Sequence, residues 1–425
     1  MSQPTPDRRD FLKSTAAGAS AAALAAAPFV HAAANDTLKV GLIGCGQRGT
    51  GAAEQALHAD RNAKLWAMGD AFRDRIDSSL QTLRGRTVAD KISVPAARQF
   101  VGLNAYQEVL NSGVDVVLLC GPPGFRPQHL WAAVQANKHI FTEKPVAVDG
   151  KGCRIVQAAC EEARRRNLSV VSGLCYRYEP AKRELMRRIH DGAVGQIVAL
   201  QTSFNTGGLW MHERQPSWSD MEWQVRNWLY FTWLSGDHIV EQHVHSLDKM
   251  AWVMGGAYPV KCLGLGGRQS RTGPEYGQIF DHHAVVYEYA NGVKCFSYCR
   301  QQVGCRSDVS DYVMGTKGTA IVQQHKILDR QNAETWRYRG NNGNMYQIEH
   351  DELFASIRSG RPINNGEYMT KSTMLAILGR MVAYTGKTLT WDQALASTED
   401  LTPKAYEWGQ LPTPAVAMPG KTKFA

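Results

Sequence analysis

"VGLIGCGQRGTGAAEQAL", residues 40–57, runs from an apolar strand pattern through three spaced glycines into a helical pattern. Gly44, Gly46 and Gly49 spell G-x-G-x-x-G between the two, the context in which that motif carries meaning. Each glycine has its own task. Gly44 permits a tight turn, Gly46 lets a pyrophosphate approach the backbone, and Gly49 lets helix and strand pack closely. The helix that follows offers unpaired N–H groups and the positive end of its dipole to phosphates. Asp70 closes a second strand pattern, "AKLWAMGD" (63–70), where a carboxylate accepts from ribose hydroxyls and repels a 2′-phosphate. That favours NAD over NADP, although Arg73, one turn on, offers a phosphate partner.

Outward from this turn, residues 38–142 alternate short apolar runs with helical patterns, the signature of βαβ units and a parallel sheet. "VDVVLLCG", "KHIFTEKP" and "LSVVSG" continue the strand series. After residue 175 the pattern changes to longer alternating strands, and "YANGVK" places Asn-Gly between two of them, a hairpin signal. The fold class read from this is α/β: a Rossmann dinucleotide-binding domain, then an α+β domain with a large, mostly antiparallel open sheet. The division expected is a signal segment over 1–34, the Rossmann domain over 35–172, the second domain over 173–400 and an extended tail over 401–425.

The N-terminus reads as a targeting segment. Arg8 and Arg9 precede Phe11, Leu12 and Lys13, an Ala-rich weakly apolar stretch follows, and Ala32–Ala34 offer a cleavage site. This resembles a twin-arginine signal, and it places the protein in the periplasm or another extracytoplasmic space. Beyond it no apolar run reaches the ~18 residues that span a bilayer, so no membrane association is expected once the signal is removed. The nine cysteines form no CxxC pair, and most sit in apolar runs as buried thiols. The net charge of +9 is dispersed, which argues against nucleic acid.

"GDHIVEQHVHSLDKM", residues 236–250, holds His238, His243, His245, Glu241, Asp237 and Asp248. On one continuous helix, His238, Glu241, His245 and Asp248 share a face, and His243 points the other way. A zinc site needs a spacing such as HExxH, which is absent, so no metal is expected here. Upstream, Trp210, Trp218, Trp223, Trp228 and Trp233 lie among Arg, Asn and His, a composition that suits sugar C–H faces on aromatic rings. His282 and His283 alternate in a strand, so at most one faces a site.

Taken in order, "GCG", "VDVVLLCGPP", "FTEKPVA" and "CYRYEPAKRELMRRIHDGAVGQIVAL" resemble the Gfo/Idh/MocA oxidoreductases over roughly residues 36–390. That family includes glucose–fructose oxidoreductase and inositol 2-dehydrogenase. The resemblance implies that Lys144 of the EKP motif lies by the nicotinamide and the reacting hydroxyl, where an ammonium can bind an alkoxide as it forms. It matches the family's Asp and His to Glu241 and His245, with Glu241 a departure from the usual Asp. His245 is then the general base, since an imidazole pKa near ~6.5 suits removal of a hydroxyl proton. Glu241 orients that imidazole or binds a sugar hydroxyl. The cofactor set takes in Gln47, Arg48, Pro122, His129, Glu143, Lys144 and Arg177 beside the three glycines and Asp70. Tyr176, Trp228 and His238 are the substrate-side candidates.

The function implied is an exported, NAD-dependent oxidoreductase acting on a secondary alcohol of a sugar, polyol or glycoside. Free nicotinamide cofactor is scarce outside the cytoplasm, so a tightly held cofactor and a closed redox cycle are expected. Two alternatives stand beside it. One is an NAD-dependent glycoside hydrolase working by oxidation, elimination, hydration and reduction; the other is a non-catalytic NAD-binding sensor, against which Lys144 and His245 both speak. The partners implied are a carbohydrate or polyol substrate, the twin-arginine export machinery and a second copy of the chain in a homo-oligomer. The sugar, the carbon oxidised and the redox partner are not written in the sequence.

Overall fold

The computed structural model describes residues 36–425, so the twin-arginine segment lies outside the described residues. The chain enters through β1 (Leu38–Ile43), α1 (Gln47–Ala59), β2 (Ala63–Asp70), α2 (Arg73–Arg84), β3 (Gln99–Val101) and α3 (Ala105–Asn111). It continues through β4 (Val116–Leu119), α4 (Arg126–Gln135), β5 (His139–Thr142), α5 (Gly150–Arg165) and β6 (Val170–Ser172). All six strands are parallel in the order β3-β2-β1-β4-β5-β6, a doubly wound sheet. β4 is buried at every position and β1 at all but one, as strands covered on both faces must be. The order reverses between β1 and β4, and the crevice outside their carboxyl ends is where such sheets bind ligands.

The second part follows α6 (Pro180–His190) with β7 (Ile197–Thr206), then four short helices: α7 (Asp220–Arg226), α8 (Thr232–Ser235), α9 (His238–Glu241) and α10 (Val244–Val253). Next come β8 (Lys261–Gly267), β9 (His282–Glu288), β10 (Lys294–Gln301), β11 (Asp308–Gly315), β12 (Gly318–Ile321), β13 (Lys326–Asp329) and β14 (Glu334–Arg337). Two long helices, α11 (Met345–Ser359) and α12 (Gly366–Thr385), precede β15 (Leu389–Thr390) and α13 (Trp391–Ala396). The sheet has nine strands in the order β14-β13-β12-β11-β7-β10-β9-β8-β15. Every pairing is antiparallel except β7 with β10. The β9–β10 hairpin turns at Asn291–Gly292 as its sequence requires, with Gly292 at φ +84°.

β9 alternates strictly between buried and half-buried residues, because only one face of this sheet carries helices. The other face is open. Leu265, Ala284 and Tyr298 are register partners across it, and Leu265 is 64% exposed. The two parts also interlock. α11 packs on α1, and Asn365, just before α12, accepts from the Ser172 N–H at the end of β6.

Seven of the nine cysteines are buried and Cys120 is half-buried, but Cys305 is exposed. Among the described residues no helix is long and apolar enough to cross a membrane.

Candidate active site

The glycine turn has the geometry its residues promise. Gly44 sits at φ +94°, and a side chain there would collide with the backbone of Gly121 after β4. A Cβ on Gly49 would collide with the Gly44 carbonyl oxygen, which is why α1 can start so close to β1. A Cβ on Gly46 would meet nothing, since that position faces open space. α1 begins with no side-chain cap, leaving its first N–H groups for a ligand. Asp70 accepts from Cys45 N (2.6 Å) and Phe72 N (3.0 Å), which fixes its carboxylate at the mouth of the turn. Burial raises its pKa.

A cavity of about 480 Å³ lies over this turn. Gly44, Gly46, Gln47, Arg48, Gly49, Asp70, Pro122 and His129 all line it, so these expected cofactor contacts converge. An open turn, an uncapped helix and a carboxylate at the end of β2 fit a dinucleotide. His129 stacks on Tyr106 at 4.1 Å, and burial, with Arg126 beside it, lowers its pKa to about 3. It is a neutral wall of the groove.

Glu143 lies behind the cavity wall. It pairs with Arg48, which also reaches Glu349 of α11 at 3.1 Å, so the glycine turn is tied to the second part of the chain. Burial works to raise the Glu143 pKa, but Arg48 outweighs it and keeps this carboxylate ionised. Burial and the Glu143 charge push Glu349 well above the usual carboxylate range.

Lys144 and the helical stretch do meet. Lys144 Nζ donates to Glu241 Oε1 at 2.7 Å and to the Glu241 carbonyl oxygen at 2.6 Å, leaving its third hydrogen for a substrate oxygen. His245 packs edge-on against Tyr176 at 5.3 Å. Burial, then Lys144 and Lys249, lower the His245 pKa well below 6.5, which keeps the imidazole neutral and able to accept a proton. Lys249, fully buried, pairs with Asp311 at 2.5 Å and lies 4.4 Å from the Tyr176 ring centre. Tyr176 thus lies against a buried charge pair that no local sequence pattern signals.

Four expectations need correction. The first is the single helix. α9 ends at Glu241 and α10 starts at Val244, because His243 N bonds the His238 carbonyl oxygen, five residues back, at 3.1 Å. That π-type step rotates the chain between the two helices and breaks the shared face. Second, His238 is not on the substrate side. It is 3% exposed, with Nδ1 2.8 Å from Asp237 Oδ1, and His283 lies 3.4 Å from the same oxygen. Third, Arg177 does not face the cofactor. Its guanidinium forks onto Asp248 at 2.8–3.1 Å and stacks over Tyr368 at 4.0 Å, while Ser372 also donates to Asp248. Fourth, Trp228 lines the cavity over the glycine turn, together with Trp210, rather than standing by Lys144 and His245.

Two lesser points change as well. Arg73 bonds Gln99, and Arg75 lines the cavity in its place. His282 faces away from the core, paired with Asp281 at 2.8 Å.

His243 is completely buried and its Nε2 bonds Ser297 Oγ of β10 at 2.7 Å. His243→Ala therefore costs about 1–3 kcal/mol of stability by orphaning a buried partner and opening a void. A thermal melt of the purified variant checks this, and an unchanged Tm contradicts it.

Asp237, His238 and His283 form the one group among the described residues whose potential ligand atoms converge, within 4.8 Å. Asp237 Oδ1 already accepts from His238 N (2.5 Å), and Oδ2 from Tyr384 OH (2.6 Å) and Phe280 N (2.8 Å). Burial works to raise the Asp237 pKa, but His283 and His238 hold it well below the carboxylate range. These bonds fill the Asp237 carboxylate under α9, at a residue with φ +76°, while the buried ring nitrogens of His238 and His283 make no well-aligned hydrogen bond. The sequence signal that could have found it is the acid directly ahead of the histidine-rich run.

Comparison with known proteins gives a consistent result. Residues 38–171 match the model described as an oxidoreductase family with an NAD-binding Rossmann fold. Residues 183–321 match the GFO/IDH/MocA C-terminal domain, so that the two together cover more than half of the chain. Residues 5–25 match the TAT (twin-arginine translocation) pathway signal sequence. Inositol 2-dehydrogenase of Acidothermus cellulolyticus is 24% identical over 340 residues, 77% of this chain and 87% of that protein. 2,7-Anhydro-N-acetylneuraminate hydratase of Escherichia coli is 25% identical over 195 residues, 46% of this chain and 48% of that protein. In that match, as with some other curated relatives, the chain spans about half the relative's length. The crystal structure of aldose-aldose oxidoreductase from Caulobacter crescentus, complexed with glycerol, shares the fold. It aligns with a TM-score of 0.63 and 18% identity, covering 83% of this chain and 99% of that one.

Proposed function

The chain belongs to the Gfo/Idh/MocA family of oxidoreductases, and on that premise we propose that it oxidises or reduces a secondary alcohol of a sugar, polyol or glycoside with resident NAD. One observation carries this reading: Lys144 of the Rossmann domain is hydrogen-bonded to Glu241, four residues before His245. A cation on the turn after β5 and an imidazole that feels its charge are thus tied together, although neither residue lines the glycine-turn cavity itself. Tyr176 joins this group through its contact with His245.

When bound, nicotinamide supplies the hydride chemistry. The chain's own residues handle the proton. As the substrate carbon gives up its hydride, the neutral His245 takes the hydroxyl proton, leaving a ketone. Lys144 donates its free hydrogen to the oxygen while charge grows there. Glu241 holds the ammonium in place, so this glutamate acts mainly on Lys144 rather than on the imidazole. Reduction runs the same contacts backwards.

The N-terminal signal addresses the protein to twin-arginine export, toward the periplasm or another extracytoplasmic space. Supply of fresh cofactor is poor there, which supports a closed cycle in which a donor sugar and an acceptor sugar are turned over at one site. The name of the Escherichia coli relative, a hydratase, favours a second, redox-neutral reading in which a glycosidic or anhydro bond is eliminated after transient oxidation. The open apolar sheet face supports a homo-oligomer.

The preference for NAD rests on Asp70. Titration should show tighter binding of NAD than of NADP, and Asp70→Ala should narrow the gap by roughly tenfold or more, about 1.4 kcal/mol. Tighter NADP binding by the unaltered protein contradicts it. A panel of sugars and polyols assayed for reduction of bound NAD tests the activity itself.

A further inference from the structure

The dinucleotide cavity has a second wall that does not come from the Rossmann domain. Opposite Asp70 and Phe72 stand Trp210, His212, Arg226 and Trp228, all from the segment between β7 and α8. We propose that this segment, latched by the C-terminal residues 406–411, is a cap that binds the adenosine half of the cofactor and makes it a resident group. The proposal rests on the reading of the groove as a nicotinamide-dinucleotide site.

The cap is joined to the Rossmann side by specific contacts. Arg75 Nη2 lies 3.2 Å from His212 Nε2. The Arg226 guanidinium stands 3.8 Å from the centre of the Phe72 ring and reaches Asp74 at 3.3 Å. Trp210 and Trp228 have ring centres 6.4 Å apart. Asp70 marks the ribose end of such a groove, so these rings and guanidinium planes stand where a flat purine would be stacked. Stacking of a base on an aromatic side chain contributes about 1–3 kcal/mol.

The same segment is held from behind by the end of the chain. Met221 N donates to Gly409 O at 3.1 Å, Leu411 N to Asp220 Oδ2 at 3.1 Å, and Gln224 Nε2 to Leu411 O at 2.6 Å. Trp408 lies 5.6 Å from Phe72, and Tyr406 is 5.5 Å from Phe125. Phe72 and Phe125 of the Rossmann side, the cap, and Tyr406 and Leu411 of the tail share one apolar cluster. An adenosine in the groove would therefore lie against a cap that this cluster fastens to both the Rossmann side and the tail. The tail expected to be merely extended is thus the fastening of the groove.

The test is the dissociation rate of NADH from the full-length protein, followed by fluorescence after a chase with excess NAD. Trp408→Ala, a surface tryptophan 45% exposed, loosens the latch, and His212→Ala removes the cap's contact with Arg75. Each should raise the rate at least tenfold, with a circular-dichroism spectrum and melt that show a folded protein. Rates within twofold of the unaltered protein for both variants overturn the cap, while leaving the dinucleotide reading intact. Failure of the unaltered protein to bind either dinucleotide removes that reading and the cap with it.

Discussion

His245→Ala and Lys144→Met should each lower kcat by about 10²–10⁴-fold while the protein still binds NAD, because proton transfer and oxygen stabilisation are lost but the groove is not touched. The His245 variant should also lose the acid limb of the pH–rate profile. The sign follows from the surroundings of the ring. Burial, Lys144 and Lys249 all disfavour the imidazolium, so the folded-state pKa is depressed and the neutral base persists as pH falls through ~6.5. The unaltered enzyme should hold its rate through that point and lose it only at lower pH. A limb above pH ~6.5, or a His245→Ala enzyme with near-normal kcat, assigns the base elsewhere.

Asp248→Ala should produce the largest loss of stability of any single change near the site, about 3–5 kcal/mol. The carboxylate is 1% exposed and satisfies the Arg177 guanidinium and the Ser372 hydroxyl. Removing it leaves a cation buried between Trp252 and Tyr368 with no anion. Chemical denaturation of the purified variant reads this directly, and a midpoint equal to that of the unaltered protein would mean that the pair is solvated in practice. Asp248 is thereby a positioning residue that anchors α10 to the turn carrying Tyr176. Because that turn also holds one side of His245, a partly folded variant should lose activity through misplaced groups rather than through missing chemistry.

The sequence was most legible where function and local chemistry coincide. Gly44 and Gly49 occupy their positions because no side chain fits there, and this is visible from spacing alone. The parallel sheet followed from continuous apolar runs such as Val116–Leu119, and the hairpin from Asn291–Gly292. Lys144 and His245 stand out through motifs, and the charge of the one reaches the ring of the other.

What could not be read was set by tertiary packing. A helical wheel assumes unbroken i→i+4 bonding, so the π-type step at His243 takes His238 off the face it was expected to share with His245. Arg177 and Asp248 are 71 residues apart, and nothing in either local pattern announces their pairing. Trp228 fits a sugar or a purine equally well by composition, and its place in the cavity is decided by how the segment after β7 folds back over Phe72. Arg73 and Arg75 both follow Asp70 closely in the chain, and only the orientation of α2 puts Arg75 rather than Arg73 at the cavity.

The most direct test of the central claim uses protein purified without added nucleotide and dialysed extensively. Retention requires an affinity nearer nanomolar than micromolar, about −12 rather than −8 kcal/mol. Stoichiometric NAD is expected in the dialysed protein, with reduction of that NAD by a saccharide or polyol donor and its return to the oxidised form on adding a keto-sugar, with no free cofactor present. Protein that emerges empty and turns over only with millimolar added NAD would contradict the closed cycle and leave an ordinary dehydrogenase in its place.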